Sequence, residues 1–321
     1  MRKIIKFAVR SLIVLLVVAS AVMIGFRFAA AMRETADRDQ IMPPSGKTIA
    51  TRSGKVFVQE KGDAAAIPVV LIHGTAAWSQ LWWRTTDALT ASGFRVIALD
   101  LPPFGFSDRP GTYTRGDQAA RIEDVLATLG IARAIIVGHS FGAGTAVEYV
   151  LRYPDRARGL VLVDAALGLG ATPSDPPWLL RPRWIRELLV SLTITNPLAT
   201  KTLLSSLIAN KAAADAQTIA ILQTPLRLKN STADIADWLL YFTGTDRAAF
   251  SANRNAVAAI TAPVALLWGD SDTVTPMAQA RDLQTLLPKA PLHVLAGLGH
   301  IPQIEDPAAF NQALIATLRT M

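Results

Sequence analysis

Cysteine is absent from the chain, which excludes disulfides, thiolate metal ligands and a cysteine nucleophile. The compartment stays open, because a reducing cytosol and an export route both tolerate that absence. Histidine is nearly absent as well. His73, His139, His293 and His300 are the whole set, so the search for a general base is short. Acidic residues are missing from the front: residues 1–33 hold Arg2, Lys3, Lys6, Arg10, Arg27 and Arg33 and no acid, leaving 26 basic against 25 acidic residues beyond them. The net charge of +7 therefore belongs to the N-terminus, and no nucleic-acid footprint is expected. With 321 residues, 51% of them hydrophobic, the chain can bury a large core.

The N-terminal run is apolar as well as basic. Ser11 to Phe26 carries no charge, and apart from Arg27 the apolar character reaches Met32, giving roughly 33 Å of helix at ~1.5 Å per residue. That length suits a bilayer core of ~30 Å, with Arg27 snorkelling to the headgroups. Residues 1–33 thus read as a membrane anchor, and the basic cluster before the run puts the N-terminus in the cytoplasm and the rest on the outer side. A cleaved signal peptide is the alternative, since Ala29, Ala30 and Ala31 offer a cleavage site. Nothing polar patterns the run, which argues against a buried core helix.

Residues 34–46, with Pro43, Pro44, Ser45 and Gly46, read as a linker. Two short strands, Thr48–Thr51 and Lys55–Gln59, then form a hairpin around Arg52, Ser53 and Gly54. Buried-strand runs follow at Pro68–Ile72, Arg95–Leu99, Ala134–Val137 and Gly159–Val163, and later at Val264–Trp268 and Leu292–Leu295, alternating with helical patterns. Such alternation predicts an α/β fold with a mostly parallel sheet covered on both faces. Residues 47–168 and 261–321 form this expected core. Residues 169–260 break the rhythm with a helical stretch rich in tryptophan and leucine, expected as a cap over the carboxyl edge of the sheet. Its Trp178, Trp184 and Trp238 are candidate substrate contacts, although tryptophans in such inserts also pack on one another.

Gly138-His139-Ser140-Phe141-Gly142 follows a strand and opens a helix, the context in which G-x-S-x-G makes a tight turn exposing a serine oxygen. A serine hydroxyl needs a base, itself oriented by an acid. His300, in the glycine-rich loop Gly297 to Pro302, is the expected base; His293 lies in a strand pattern and is expected to face solvent. The acid is sought after a strand between serine and histidine. Asp272 in Trp268 to Pro276 is preferred over Asp270, which closes the turn locally, and over Asp164 after Val163. Two backbone N–H groups for an oxyanion hole are expected from Phe141 and from Thr75 or Ala76 after the first parallel strand. His73 reads as an organiser of that loop, because no second ligand with metal spacing accompanies it; neither metal nor cofactor is expected.

Taken together, His73-Gly74, the loop Asp100 to Asp108, the serine elbow, Gly269 to Pro276 in a G-x-x-D-x-x-x-P pattern and Gly299-His300 resemble the α/β-hydrolase family in its capped branch. The resemblance covers about residues 47–320, and its pattern also places the acid at Asp272. Two departures matter. Dehalogenases and epoxide hydrolases of that branch use an aspartate where this chain has Ser140, and Pro102-Pro103 replaces the usual proline-glycine. The expected activity is hydrolysis of an apolar carboxylic ester. Carbon–carbon bond hydrolysis is the enzymatic alternative, with Arg181, Arg183 or Arg186 of the cap holding a substrate carboxylate, and a silent scaffold used for binding is the non-enzymatic one.

Overall fold

The structure is a computed structural model that describes residues 2–170 and 172–321. Met1 and Ala171, one residue each of the expected anchor and cap, lie outside the described residues, as do the side chains of Lys3 and Leu16. The chain opens with α1 (Arg2–Arg33) and a short α2 (Arg38–Ile41). It continues with β1 (Gly46–Thr51), β2 (Gly54–Lys61), β3 (Ile67–Ile72), α3 (Trp83–Ala91), β4 (Phe94–Leu99), α4 (Arg115–Thr128), β5 (Ala134–His139), α5 (Phe141–Arg152) and β6 (Ala157–Val163). Five helices interrupt the alternation: α6 (Arg183–Leu192), α7 (Pro197–Leu207), α8 (Ala216–Gln223), α9 (Ser231–Thr243) and α10 (Arg254–Ala258). The core resumes with β7 (Val264–Gly269), α11 (Met277–Leu286), β8 (Leu292–Leu295), α12 (Pro302–Glu305) and α13 (Pro307–Leu318).

The eight strands form one sheet in the order β1-β2-β4-β3-β5-β6-β7-β8, parallel from β4 onward, with the β1–β2 hairpin as an antiparallel edge. The buried runs explain it. Val70, Ile72, Ile136, Leu160, Leu162 and Leu266 face one core with α4, α5 and α11, while Val69, Leu71, Ile135, Val161, Val163 and Leu267 face the other with α3 and α13. A period of two that is apolar on both sides needs helices on both faces, and parallel strands joined by helical crossovers supply them. Strand order reverses between β3 and β5, so their carboxyl ends leave a crevice there.

Residues 34–46, expected as a linker, make long-range contacts. Ala36 bridges to Leu228, with its N–H on the Arg227 carbonyl at 3.1 Å and its carbonyl taking the Lys229 N–H at 3.1 Å. Arg38 pairs with Asp108, and Lys229 with Asp37 at 2.7 Å. Only the turn at Pro43–Ser45 behaves as the proline-rich composition implied. The preceding residues are strapped to the cap by contacts across some 190 positions of chain, which local composition cannot encode.

Candidate active site

Ser140 sits where β5 ends and α5 begins, at the crevice, with φ +53° and ψ −126°. A positive φ in a residue with a Cβ costs on the order of 1–3 kcal/mol, so the surroundings must enforce it. The Ser140 N–H donates to the Val163 carbonyl at 3.0 Å, and its own carbonyl accepts from Ala143 at 3.0 Å and Ala166 at 3.1 Å. The flanking glycines let the backbones close. A Cβ on Gly142 would stand 2.2 Å from the His73 carbonyl oxygen, and one on Gly138 would stand 2.7 Å from the Ala143 Cα. Gly142→Ala is therefore expected to lower unfolding free energy by about 3 kcal/mol, the upper end for overpacking against backbone. Urea unfolding checks this, and an unmoved midpoint would mean that the β3 loop yields freely.

His300 brings Nε2 to 2.7 Å from Ser140 Oγ and Nδ1 to 2.8 Å from Asp272 Oδ2. A carboxylate only accepts, so Nδ1 carries the proton and Nε2 is free to accept from the serine hydroxyl. Asp272 Oδ1 accepts from the N–H of Val274 at 2.7 Å and of Thr275 at 3.0 Å, and Oδ2 also takes the Thr275 hydroxyl at 2.5 Å. Burial alone would raise the Asp272 pKa, but His300 and Thr275 outweigh it and hold the carboxyl below its ordinary range.

The other candidates take supporting positions. Asp164, with φ +43°, accepts from the Gly269 N–H at 2.9 Å, and its own carbonyl takes the Thr275 hydroxyl at 3.2 Å. Burial first, and then the neighbouring Asp272, push its pKa well up, and its hydrogen bond to Gly269 braces the end of β7. Asp270 takes the Gly297 N–H at 2.8 Å. His293 is half-buried on β8 rather than solvent-facing; the exposed side chain there belongs to Val294. The His73 Nε2 accepts from the Leu101 N–H at 2.9 Å, while Nδ1 donates to the Gly74 carbonyl at 2.8 Å, and burial pushes its pKa down to about 4. It is a neutral organiser of the loop that carries Thr75 and Ala76.

Sequence reasoning missed three contributors. His139, the elbow residue before Ser140, donates from Nε2 to the His300 carbonyl at 2.7 Å and holds the histidine loop from behind. Burial pushes its pKa down to about 3, so it stays neutral. Thr275 fixes the acid, as above. Glu305 binds the loop through its carboxylate: Oε2 accepts from Ala209, Asn210 and Gly299 at 2.7, 3.0 and 3.0 Å, and Oε1 from Ile301 at 3.1 Å. A buried acid five residues after the histidine was a signal, but no motif marks it.

In front of Ser140 lies a cavity of about 910 Å³ whose floor includes Thr75, Ala76, Phe141 and His300 and whose walls are mostly apolar. Ala76 has φ +56°, and among the described residues the N–H groups of Thr75, Ala76 and Phe141 donate to no protein acceptor. The cap tryptophans require a correction: none of the three lines this space. Trp238 is buried behind its wall, 5.5 Å from the ring of Phe141 and 4.9 Å from those of Phe104 and Phe242. Trp178 and Trp184 stand on the surface, 72% and 64% exposed. Arg181, Arg183 and Arg186 do not line it either; the cap arginine that does is Arg247, paired with Asp175 at 3.1 Å. Arg186 is spent on the carbonyls of Leu180, Arg181 and Ala236, and Arg183 pairs with Glu187 and Asp237.

Comparison with known proteins identifies the fold family. Residues 67–307 match the family model of the alpha/beta hydrolase fold. A 2-hydroxy-6-oxononadienedioate/2-hydroxy-6-oxononatrienedioate hydrolase of Burkholderia vietnamiensis is 31% identical over 78% of this chain and 86% of its own. Among solved structures, a meta-cleavage product hydrolase superposes with TM-score 0.70 at 24% identity, over 86% of this chain and 98% of its own. A membrane phospholipase A superposes with TM-score 0.68 at 23% identity, over 98% of both chains. By sequence, sheet order and the position of its serine elbow, the chain belongs to the alpha/beta hydrolase fold family.

Proposed function

We propose that the protein is a serine hydrolase of apolar carboxylic esters, tethered by α1 with its globular part on the extracytoplasmic side. The observation that carries this reading is the hydrogen-bonded series Ser140, His300, Asp272 opening into a large, mostly apolar cavity. The steps follow from it. His300 Nε2 takes the Ser140 proton as the serine oxygen attacks the ester carbonyl, and Asp272 stabilises the imidazolium. The N–H of Phe141 and that of Thr75 or Ala76 receive the oxyanion. The alcohol leaves with the proton from His300, and a water activated by the same imidazole releases the acid. Among the described residues α1 has the length and composition to cross a bilayer, with mean hydropathy 2.5 over its most apolar window, and Arg2, Lys3, Lys6 and Arg10 before the apolar run, against Arg27 and Arg33 at its end, favour a cytoplasmic N-terminus.

Carbon–carbon bond hydrolysis is a second reading, favoured by the relative named above. A dioate substrate carries two carboxylates, yet Arg181, Arg183 and Arg186 stay outside the cavity. Of the two arginines that line it, Arg115 already donates to the Leu167 carbonyl at 2.9 Å and to the Ser251 hydroxyl at 3.2 Å, and Arg247 pairs with Asp175 at 3.1 Å. The test is turnover of p-nitrophenyl esters of increasing acyl length beside a 2-hydroxy-6-oxo dienoic acid. Esters of medium or longer chain are expected to give the higher kcat/KM. Faster cleavage of the dienoate would overturn the ester reading, and silence on both, with no labelling of Ser140 by a fluorophosphonate, would point to a binding scaffold.

A further inference from the structure

The anchor helix is not free where it leaves the bilayer. Met23, Phe26, Arg27, Ala30 and Arg33, one helical stripe of α1, are shielded while their neighbours are mostly exposed, and the element they meet is α6 of the cap. Arg27 pairs with Glu187 at 2.9 Å, and Arg33 donates to the Thr195 carbonyl at 2.9 Å. Arg27 thus meets the middle of α6 and Arg33 the turn that follows it, so the N-terminal end of α6, with Trp184, lies toward the part of α1 that precedes Arg27. Arg186 gathers the preceding turn to the same end through the carbonyls of Leu180 and Arg181, both at 2.7 Å.

Length then decides where the bilayer surface falls. Because Arg27 pairs with Glu187 of the cap, the outer boundary falls at Arg27 and not at Met32, and the segment between Lys6 and Arg27 spans ~30 Å of helix, the thickness of a hydrocarbon core, with Arg10 close enough to its inner end to snorkel. Were the cap to stand clear of the membrane, the span would end before Met23 and reach only ~24 Å from Lys6. The N-terminal end of α6 therefore sits at the lipid–water boundary. Its exposed side chains suit that place: Trp178, Leu179 and Trp184 are 72%, 53% and 64% exposed, with the exposed Arg181 between them at phosphate level. The cavity mouth shares this edge. Asp237 of α9 joins Arg183 and Arg186 at 3.1 Å, and beyond it Phe242, 48% exposed, and Gly244, which packs on Pro176 two residues before Trp178, line the cavity.

We infer that the cap edge bearing Trp178, Leu179 and Trp184 is embedded in the outer headgroup layer of the bilayer, so that the cavity takes its substrate from the membrane rather than from bulk water. The inference rests on α1 spanning the bilayer. The absence of cysteine makes the test direct: the full chain with Trp178→Cys, Trp184→Cys, Val14→Cys or Asp63→Cys carries one NBD label in nanodiscs. Labels at 178 and 184 are expected to emit blue-shifted and to lose emission to lipids bearing a doxyl group near the headgroup. The label at 14 should be quenched by deep doxyl groups, and the label at 63, at the far edge of the sheet, by neither. Water-like emission at 178 and 184 with quenching at 14 overturns the inference and leaves the anchor. Water-like emission at 14 overturns both.

Discussion

Ser140→Ala is expected to lower ester turnover by ~10⁴-fold or more, and His300→Ala to reach the same floor. The size follows from geometry. At 2.7 Å the imidazole nitrogen already accepts from the hydroxyl it must deprotonate, and Asp272 fixes the tautomer that allows it. Removing either partner removes one shared event, the formation of the acyl-enzyme, so the losses do not add. The double variant Ser140→Ala with His300→Ala should retain the small residual rate of the single variants, which comes from binding and the oxyanion amides. The comparison is made by kcat on a medium-chain p-nitrophenyl ester. If the two losses multiplied instead, the residues would be acting independently and the proposed mechanism would fail.

The residues of that unit were legible in the sequence because each lies in a locally constrained turn. Gly138 and Gly142 mark an elbow, and the Gly269 to Pro276 loop delivers its acid within four residues of a strand end. The sheet was legible for a similar reason, since a strand buried on both faces has no polar alternation to hide it. What escaped depends on contacts between distant segments. The three cap tryptophans are equally apolar in sequence, yet Trp238 packs inward between Phe104 and Phe141, whereas Trp178 and Trp184 turn outward beside the anchor helix. Composition cannot separate a residue buried by protein from one proposed to be buried by lipid. Likewise, Ala36 and Leu228 meet through a bridge that no turn signal announces.

Glu305 makes the same point with a measurable consequence. It is 4% exposed, and its carboxylate collects four backbone N–H groups from two places. Gly299 and Ile301 flank His300, while Ala209 and Asn210 follow α7, whose Leu207 carbonyl takes the His300 N–H at 3.1 Å. One side chain thereby fixes the base loop and ties it to the cap. Glu305→Ala would strip the acceptor from all four donors. At ~1–3 kcal/mol for each buried unpaired group, moderated by water entering the gap, a loss of about 3 kcal/mol in unfolding free energy is expected. Displacing the imidazole by ~1 Å from its serine should lower kcat by about 10²-fold. KM should hardly move, because Glu305 does not line the cavity. Glu305→Gln keeps one acceptor oxygen but turns an NH₂ toward other donors, so it should fall between alanine and the parent on both measures. Urea unfolding together with kcat and KM on the ester separates the outcomes: a rise in KM matching the fall in kcat would assign Glu305 to substrate binding and refute its role in positioning His300.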